Sequence, residues 1–391
     1  MTDTAERNWD STVAAAAPQF AQQLVAWQKE HGRHHLPWQN TRDPYRVWLS
    51  EIMLQQTQVS TVLDYYARFL NACPTVDALA AAHPDQVLGL WSGLGYYSRA
   101  RNLHQCAKDV VNLHKGQFPS TALALQCLPG IGPSTAAAIA SFCFAERAAI
   151  LDGNVKRVLT RVLGFSGDLS QSRNTAHLLE MASRLLPEVD LHLMMPRYTQ
   201  GLMDLGATVC TRRKPQCDRC PVKNLCSGYV EGTPEKYPVK SKKLVRSSEN
   251  LSLLWARRPD GSVWLERRPV AGIWGGLYCM PVFETEKAVR CFLPKHLAAC
   301  AVTVQPFIHV LTHKDLHLYP IATLFAESDE MPVRSSAATG AESDKSFSGA
   351  WLAADAWAVL GLPAPIRKLL LQEARQLELA FNVAHQARDA A

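Results

Sequence analysis

A mostly helical N-terminal domain followed by a smaller α+β domain is the fold this chain of 391 residues predicts. From Phe20 to about Ser227, apolar residues recur at three and four places, and the breaks are short and marked by Pro or Gly. After Ser247 the pattern changes to short β-prone runs separated by turn residues. The length also exceeds what one ordinary hydrophobic core organises, so two domains are expected.

Taken in order, residues 1–17 are polar and alanine-rich and read as a frayed, disordered tail. Residues 18–227 form the helical domain. Residues 228–246 contain Gly228, Gly232, Pro234 and Pro238 among Lys236, Lys240, Lys242, Lys243 and Arg246, and read as a basic linker. Residues 247–375 form the second domain, with strands over Leu251–Trp255, Val263–Arg267, Val302–Val304 and Leu316–Leu324. Within it, residues 327–349 are rich in Ser, Ala, Asp and Glu and suit a flexible loop. Residues 363–386 read as a final helical segment, and 376–391 as a C-terminal tail. The chain has no internal repeat.

Hydrophobic content of 47% and charged content of 19% describe a folded protein. Eleven cysteines in a chain this long do not make a secreted disulfide framework. A reducing compartment fits, where thiols are free to hold metal. No apolar run reaches the roughly 18 residues a membrane span needs. Asp3, Glu6 and Asp10 near the start argue against a signal peptide or a mitochondrial transit peptide. The net charge of +6 is modest, but Arg212, Arg213, Lys214, Arg219 and Lys223 crowd one segment. Such a cluster attracts phosphate backbones, although a basic run is also compatible with a solvated linker.

That basic segment contains Cys210, Cys217, Cys220 and Cys226, separated by six, two and five residues. A zinc ribbon pairs two C-x-x-C knuckles about 15–20 residues apart, and this spacing departs from it. Four thiolates so close together suit a cuboidal iron–sulfur cluster, with a structural zinc as the second possibility. Four unrelated buried thiols would be unusual at this density.

Leu128-Pro129-Gly130-Ile131-Gly132 lies between two helical stretches. Gly130 and Gly132 permit a tight turn that leaves N–H groups bare at the start of the helix from Pro133 to Phe144, a ready anion site. A Gly-x-Gly turn between helices is usually only a turn. Beside the cysteine cluster and the basic residues it becomes a candidate helix-hairpin-helix.

Leu128–Gly132, Leu151-Asp152-Gly153-Asn154 and the four-cysteine segment together resemble the helix-hairpin-helix DNA glycosylase superfamily. Trp48-Leu49-Ser50-Glu51-Ile52-Met53-Leu54-Gln55-Gln56-Thr57 and Gly93-Leu94-Gly95-Tyr96-Tyr97-Ser98-Arg99 narrow the resemblance to the MutY family of adenine DNA glycosylases, over roughly residues 20–370. It implies removal of adenine mispaired with 8-oxoguanine, and with guanine, from double-stranded DNA. It also implies one 4Fe-4S cluster on the four cysteines. The expected enzyme is a monomer in the bacterial cytoplasm, associated with the nucleoid and not with membrane.

Glu51 lies mid-helix with Val47, Trp48 and Leu54 on its face. Apolar surroundings raise a carboxyl pKa, so this residue can carry a proton near neutrality, whereas most mid-helix glutamates are solvated. The resemblance makes Glu51 the acid that protonates N7 of a flipped adenine and then helps activate water. Asp152 precedes a helix and suits an N-cap. It also suits a fixed anion beside a sugar that becomes cationic, the role the resemblance assigns to it. Asn154 matches a neighbouring polar position that orients water or the other carboxyl. Gln55, Gln56 and Thr57 can reach base edges or the gap left by an extruded nucleotide. The resemblance gives Gln56 an intercalating role together with Leu94 and Tyr96, although Tyr96-Tyr97 also suits core packing.

Relatives that cut the strand carry a lysine just after the hairpin, whose amine forms a Schiff base with the sugar. Here that place is Ser134, so a monofunctional glycosylase is expected. Some relatives have tyrosine at this position.

Arg267-Arg268-Pro269 and Gly272–Tyr278 resemble the same family's C-terminal domain, which is related to Nudix hydrolases. Glu284 and Glu286 follow closely, with no Arg-Glu plus Glu-Glu helix to hold Mg²⁺, so recognition of 8-oxoguanine is the implied role. The family's Phe-Ser-His recognition loop aligns with Leu311-Thr312-His313, leaving Thr312 and His313 to hydrogen-bond without an aromatic wedge. His309, His313 and His317 are spaced by four and are expected on one strand face. Two alternatives remain: an endonuclease III-like oxidised-pyrimidine glycosylase with lyase activity, and a non-catalytic iron–sulfur DNA-binding or redox-sensing protein. Ser134 and the second domain oppose the first. The second leaves Glu51 and Asp152 unexplained.

Overall fold

The computed structural model describes residues 9–241, 245–333 and 349–371. The 376–391 tail, most of the 327–349 loop, and Lys242 and Lys243 lie outside these residues. By internal contacts the chain divides into two units: residues 1–81 with 102–243, and residues 82–101 with 244–391.

The first unit is helical. Its helices are α1 (Trp9–His31), α2 (Pro44–Leu54), α3 (Val59–Ala72) and α4 (Val76–Ala81). The short α5 (Pro84–Leu90) belongs to the second unit, and α6 (Ser98–His114) runs from one segment into the other. The first unit continues with α7 (Ala122–Leu125), α8 (Pro133–Phe144), α9 (Gly153–Leu163), α10 (Ser172–Arg184), α11 (Leu191–Thr208) and α12 (Ser227–Val230). α1 begins inside the stretch expected to fray, because Val13 and Ala16 are buried and Trp9 stacks on Phe165. Alanine-rich sequence concealed an amphipathic helix there.

Local chemistry sets the helix ends near the site. Asp43 caps α2 by accepting from the Tyr45 N–H, and Pro44 occupies the first turn, where its missing N–H costs nothing. Asp152 caps α9, which stops at Gly164 in the left-handed conformation (φ 61°). α1 and α9–α11 bury one apolar core around Phe20, Leu24, Leu159, Phe165, Tyr198 and Leu202. That core fixes the directions from which α9 and α11 present their polar ends.

Among the described residues the second unit holds an eight-stranded sheet. Its strands are β1 (Ser247–Arg257), β2 (Val263–Arg267), β3 (Tyr278–Cys279), β4 (Val282–Phe283), β5 (Val302–Thr303), β6 (Phe307–Val310), β7 (Lys314–Leu324) and β8 (Gly349–Leu352). The main order is β3-β2-β1-β7-β5. β1 and β7 pair in parallel from Ser247↔Lys314 to Arg257↔Leu324, and the other pairs are antiparallel. Residues 251–256 of β1 are all buried, as suits a central strand covered on both faces. Helices α13 (Glu286–Phe292) and α14 (Lys295–Cys300) cover the sheet through Val289, Leu293 and Leu297 against Leu254, Ile321 and Phe325. α15 (Ala354–Ala358) and α16 (Ala364–Leu371) follow β8, so only the start of the helical segment expected over 363–386 is described. The three histidines do not share a strand: His309 lies on β6, His317 lies on β7, and His313 is in the turn between them. Four-residue spacing across a hairpin places its members on different strands.

Candidate active site and cluster-binding loop

A cleft of about 1470 Å³ opens in the helical unit, lined among others by Glu51, Gln55, Gln56, Thr57, Ser134, Asp152, Asn154 and Arg157. The end of α2, the start of α8, the start of α9 and the last turns of α11 meet here with the end of α1 and the loop after it. Glu51 hangs from a packed helix, with Val47 and Trp48 on its own face buried. Burial, and after it the charge of Asp152, raises the Glu51 carboxyl to about 8. Some Glu51 surface faces the cleft, yet the protein atoms around its carboxyl dominate its environment.

Asp152 is also desolvated, but donors surround its carboxyl. Its Oδ1 accepts the Val155 N–H at 2.7 Å. Burial raises its pKa above the ordinary carboxylate value. The Val155 and Asn154 N–H groups, Arg157 and Lys156 all pull the other way. Both carboxyls are raised by burial, and among the described residues Asp152 has N–H and cationic partners that pull it back while Glu51 has none.

Ser134 and Thr135 tie the elements together. Ser134 Oγ accepts the Leu151 N–H at 3.1 Å, holding the strand-like approach to Asp152 against the start of α8. Gln55 Nε2 donates to Thr135 Oγ1 at 3.3 Å, joining the end of α2 to the same helix. The hairpin before α8 turns at Gly130 (φ 78°), and Gly132 caps the helix with open space beside it. Gln56, just past α2, is exposed with φ 58°, a conformation rare for a side-chain-bearing residue and often found at functional positions.

Arg157 was not singled out from sequence. Its guanidinium donates to Asn154 Oδ1 at 2.8 Å, to the Gly206 carbonyl at 2.6 Å and to the Cys210 carbonyl at 2.8 Å. It thus links the polar start of α9 to the end of α11 and the first cysteine. Gly206 is required by the close approach: a Cβ there would lie 2.7 Å from the Cβ of Asn154. Arg33 and Asp204 were also missed, being 171 residues apart. Asp204 is fully buried and accepts from Arg33 Nε at 2.7 Å and from Gln200 at 2.9 Å, locking one wall of the cleft. The spacing of Arg157 from Asn154, three residues along one helix face, was the available signal for the first; long-range pairs leave none.

Cys210, Cys217, Cys220 and Cys226 line one cavity with Arg161, Val158, Val209 and Val222. Among the described residues, no three of His, Cys, Asp or Glu converge to hold a single metal ion. Instead, the four cysteines line a shared space, and burial first, then the charge of Cys210, raises Cys217, Cys220 and Cys226. Cys220 is pushed up to about 12 and Cys226 to about 11, so these thiols need a cationic group to become thiolates. Arg161 supplies part of that charge. It is 2% exposed, its Nη1 lies 3.3 Å from Cys210 Sγ, and it donates to the carbonyls of Thr211, Arg212 and Tyr237. An all-thiolate donor set around a cavity, with a buried guanidinium beside it, fits an iron–sulfur cluster. Arg212, Arg213, Lys214 and Arg219 are exposed around the loop.

In the second unit, Tyr96 is exposed with φ 48°, and its hydroxyl hydrogen-bonds with that of Thr312. Thr312 and His313 are exposed in the turn closed by the Leu311 N–H to Lys314 carbonyl bond. Leu94, expected to enter DNA, is 6% exposed and anchors its loop within this unit. Glu286, at the start of α13, pairs with Arg290 at 2.8 Å and accepts from Thr303 at 3.2 Å.

Residues 49–184 match the HhH-GPD superfamily of base excision DNA repair proteins, residues 210–226 the iron–sulfur binding domain of endonuclease III, and residues 252–372 the NUDIX domain. The paired carboxyls and the hairpin thus sit in a helix-hairpin-helix base-excision protein that carries a 4Fe-4S cluster and a Nudix-like second domain. The adenine DNA glycosylase of Buchnera aphidicola (Acyrthosiphon pisum) is 36% identical over 305 residues, covering 77% of this chain and 85% of that protein. That of Mus musculus is 43% identical over 219 residues, covering 54% of this chain and 42% of that one. A solved thermostable thymine-DNA glycosylase is 28% identical, with a TM-score of 0.48, covering 57% of this chain and 98% of its own. The chain belongs to the adenine DNA glycosylase family, enzymes that break N-glycosyl bonds in base excision repair.

Proposed function

We propose that this enzyme removes adenine opposite 8-oxoguanine, and opposite guanine, and leaves an uncut abasic strand. The observation that carries the mechanism is the desolvated Glu51 carboxyl sharing a cleft with the donor-ringed Asp152. With the adenine turned out of the duplex, Glu51 donates its proton to N7. The bonding pair of C1′–N9 then leaves with the base, and the sugar becomes an oxocarbenium-like cation beside ionised Asp152. Water adds to C1′ and loses a proton to the Glu51 carboxylate, which restores the acid. The products are neutral adenine and an abasic sugar. Asn154, oriented by Arg157, holds the water or the Asp152 carboxylate.

Gln55, Gln56 and Thr57 contact the strand beside the extruded nucleotide. Gly130 and Gly132 offer backbone N–H groups to a phosphate, and the exposed arginines of the cluster loop add to that grip. Tyr96, Thr312 and His313 face the opposite base. Ser134 has no amine, so no imine forms at its place.

Single-turnover reactions on duplexes with A:8-oxoguanine, A:G and oxidised-pyrimidine pairs test the reading. Free adenine from the first two, with strand scission only after alkali, is the expected result, and Ser134→Lys gains direct scission. Release of oxidised pyrimidine, or cutting by the wild type without alkali, overturns it.

A further inference from the structure

The short segment 82–101 precedes the sheet by more than a hundred residues, yet it belongs to the same compact unit. Three sets of contacts hold it there. At one end, Asp85 Oδ1 pairs with Arg267 at 3.1 Å, and the Tyr278 hydroxyl donates to Asp85 Oδ2 at 3.4 Å. In the middle, the hydroxyls of Ser92 and Tyr97 both donate to the Leu362 carbonyl at 3.0 Å, and Arg367 Nε donates to Ser92 Oγ at 3.2 Å. At the far end, Arg101 Nη1 donates to the Gly275 carbonyl at 2.6 Å. The backbones touch at Gly89, where a Cβ would lie 2.1 Å from the Val359 carbonyl oxygen. Such a fit leaves the segment no room to slide.

Between these anchors, the Gly93–Tyr97 turn is itself braced. Trp91 Nε1 donates to the Gly95 carbonyl at 3.1 Å, and Arg99 donates to the Leu94 and Gly95 carbonyls at 3.2 Å. Its outward product is the Tyr96 side chain, whose hydroxyl meets Thr312. Arg99 also lies over the Tyr96 ring at 5.4 Å, so the brace extends to the tip, and Asp85 and Arg101 act through the loop they hold.

We infer that Asp85 and Arg101 are positioning residues for discrimination of the base opposite adenine: through Arg267, Tyr278 and the Gly275 carbonyl they seat the Gly93–Tyr97 loop so that Tyr96 and Thr312 present one joined surface. This rests on the proposed role of Tyr96 and Thr312 at the opposite base. Loosening the seat separates the two hydroxyls and costs selectivity while the Glu51 chemistry, in the other unit, is untouched.

The test is the ratio of single-turnover adenine release from A:8-oxoguanine and A:G duplexes with the full-length protein. Asp85→Arg and Arg267→Asp each lower that ratio by about fivefold, and the Asp85→Arg/Arg267→Asp exchange restores most of it, as a direct coupling requires. Arg101→Met, at the opposite anchor, lowers the ratio in the same direction. Ratios unchanged in all single variants overturn the inference. So does a ratio that the exchange fails to restore, since that marks general disruption. A wild type that releases adenine equally from both duplexes overturns the opposite-base reading itself and this inference with it, and that outcome is seen before any variant is made.

Discussion

The two units treat an acidic side chain in opposite ways. In the helical unit Glu51 is desolvated, and among the described residues no cation compensates it. In the sheet unit Glu286, at the start of the helix that follows the Gly272–Tyr278 loop, is tied to Arg290 and Thr303 at the surface. The first environment makes a carboxyl hold its proton near neutrality; the second gives it an arginine and a threonine hydroxyl as partners. A glutamate is chemically available when burial penalises its charge and neighbours do not repay the penalty. The comparison explains how one chain can keep chemistry in one fold and use the other for contacts.

The sharpest way to break this contrast is Glu51→Gln. Adenine release should fall by about 10³-fold or more while duplex affinity stays near wild type, as single-turnover rates and equilibrium binding would report. Release by the wild type should also decline as pH rises through about 8, where Glu51 loses its proton. The same shift affects stability. A carboxyl whose folded pKa is raised from 4.5 to about 8 stabilises the fold below the lower value, and this contribution is lost as pH rises to the upper one. Glu51→Gln should therefore melt above wild type at pH 8 and alike at pH 4.

Asp152→Asn is the next largest effect. It keeps the shape of the cap and removes the anion, so release should drop about 10²-fold. Equal activity would place the sugar's charge elsewhere. Arg161→Gln sharpens the comparison from the cluster side. Removing the buried cation beside Cys210 should weaken retention of iron and sulfide by about tenfold under chelator challenge, read by iron content and visible absorbance. The smallest effect belongs to the other acid: Glu286→Gln should leave release from A:G duplexes within about twofold of wild type. A large loss there would show that the surface carboxyl does more than pair with Arg290.

Much of this was legible before any coordinates. The change from helical to strand periodicity near Ser247 marked two architectures, and β2 was read residue for residue as Val263–Arg267. α1 was misread at its start because alanine carries a weak apolar signal, and only the burial of Val13 and Ala16 shows which face packs. The histidine trio was misread because four-residue spacing was taken along one strand when a turn divides it.

What the sequence determined alone were properties carried by neighbours in the chain: a glutamate on an apolar helix face, an aspartate before a helix, and four cysteines in seventeen residues. Tertiary structure decided which distant groups share a space. It set Asp152 near enough to raise Glu51, ran Arg157 from Asn154 to Cys210, placed Arg161 beside the sulfurs, and fastened segment 82–101 to the sheet. Periodicity reports which face of an element is buried. Desolvation and Coulomb interaction act through space, and their partners are known only once the chain has folded back on itself.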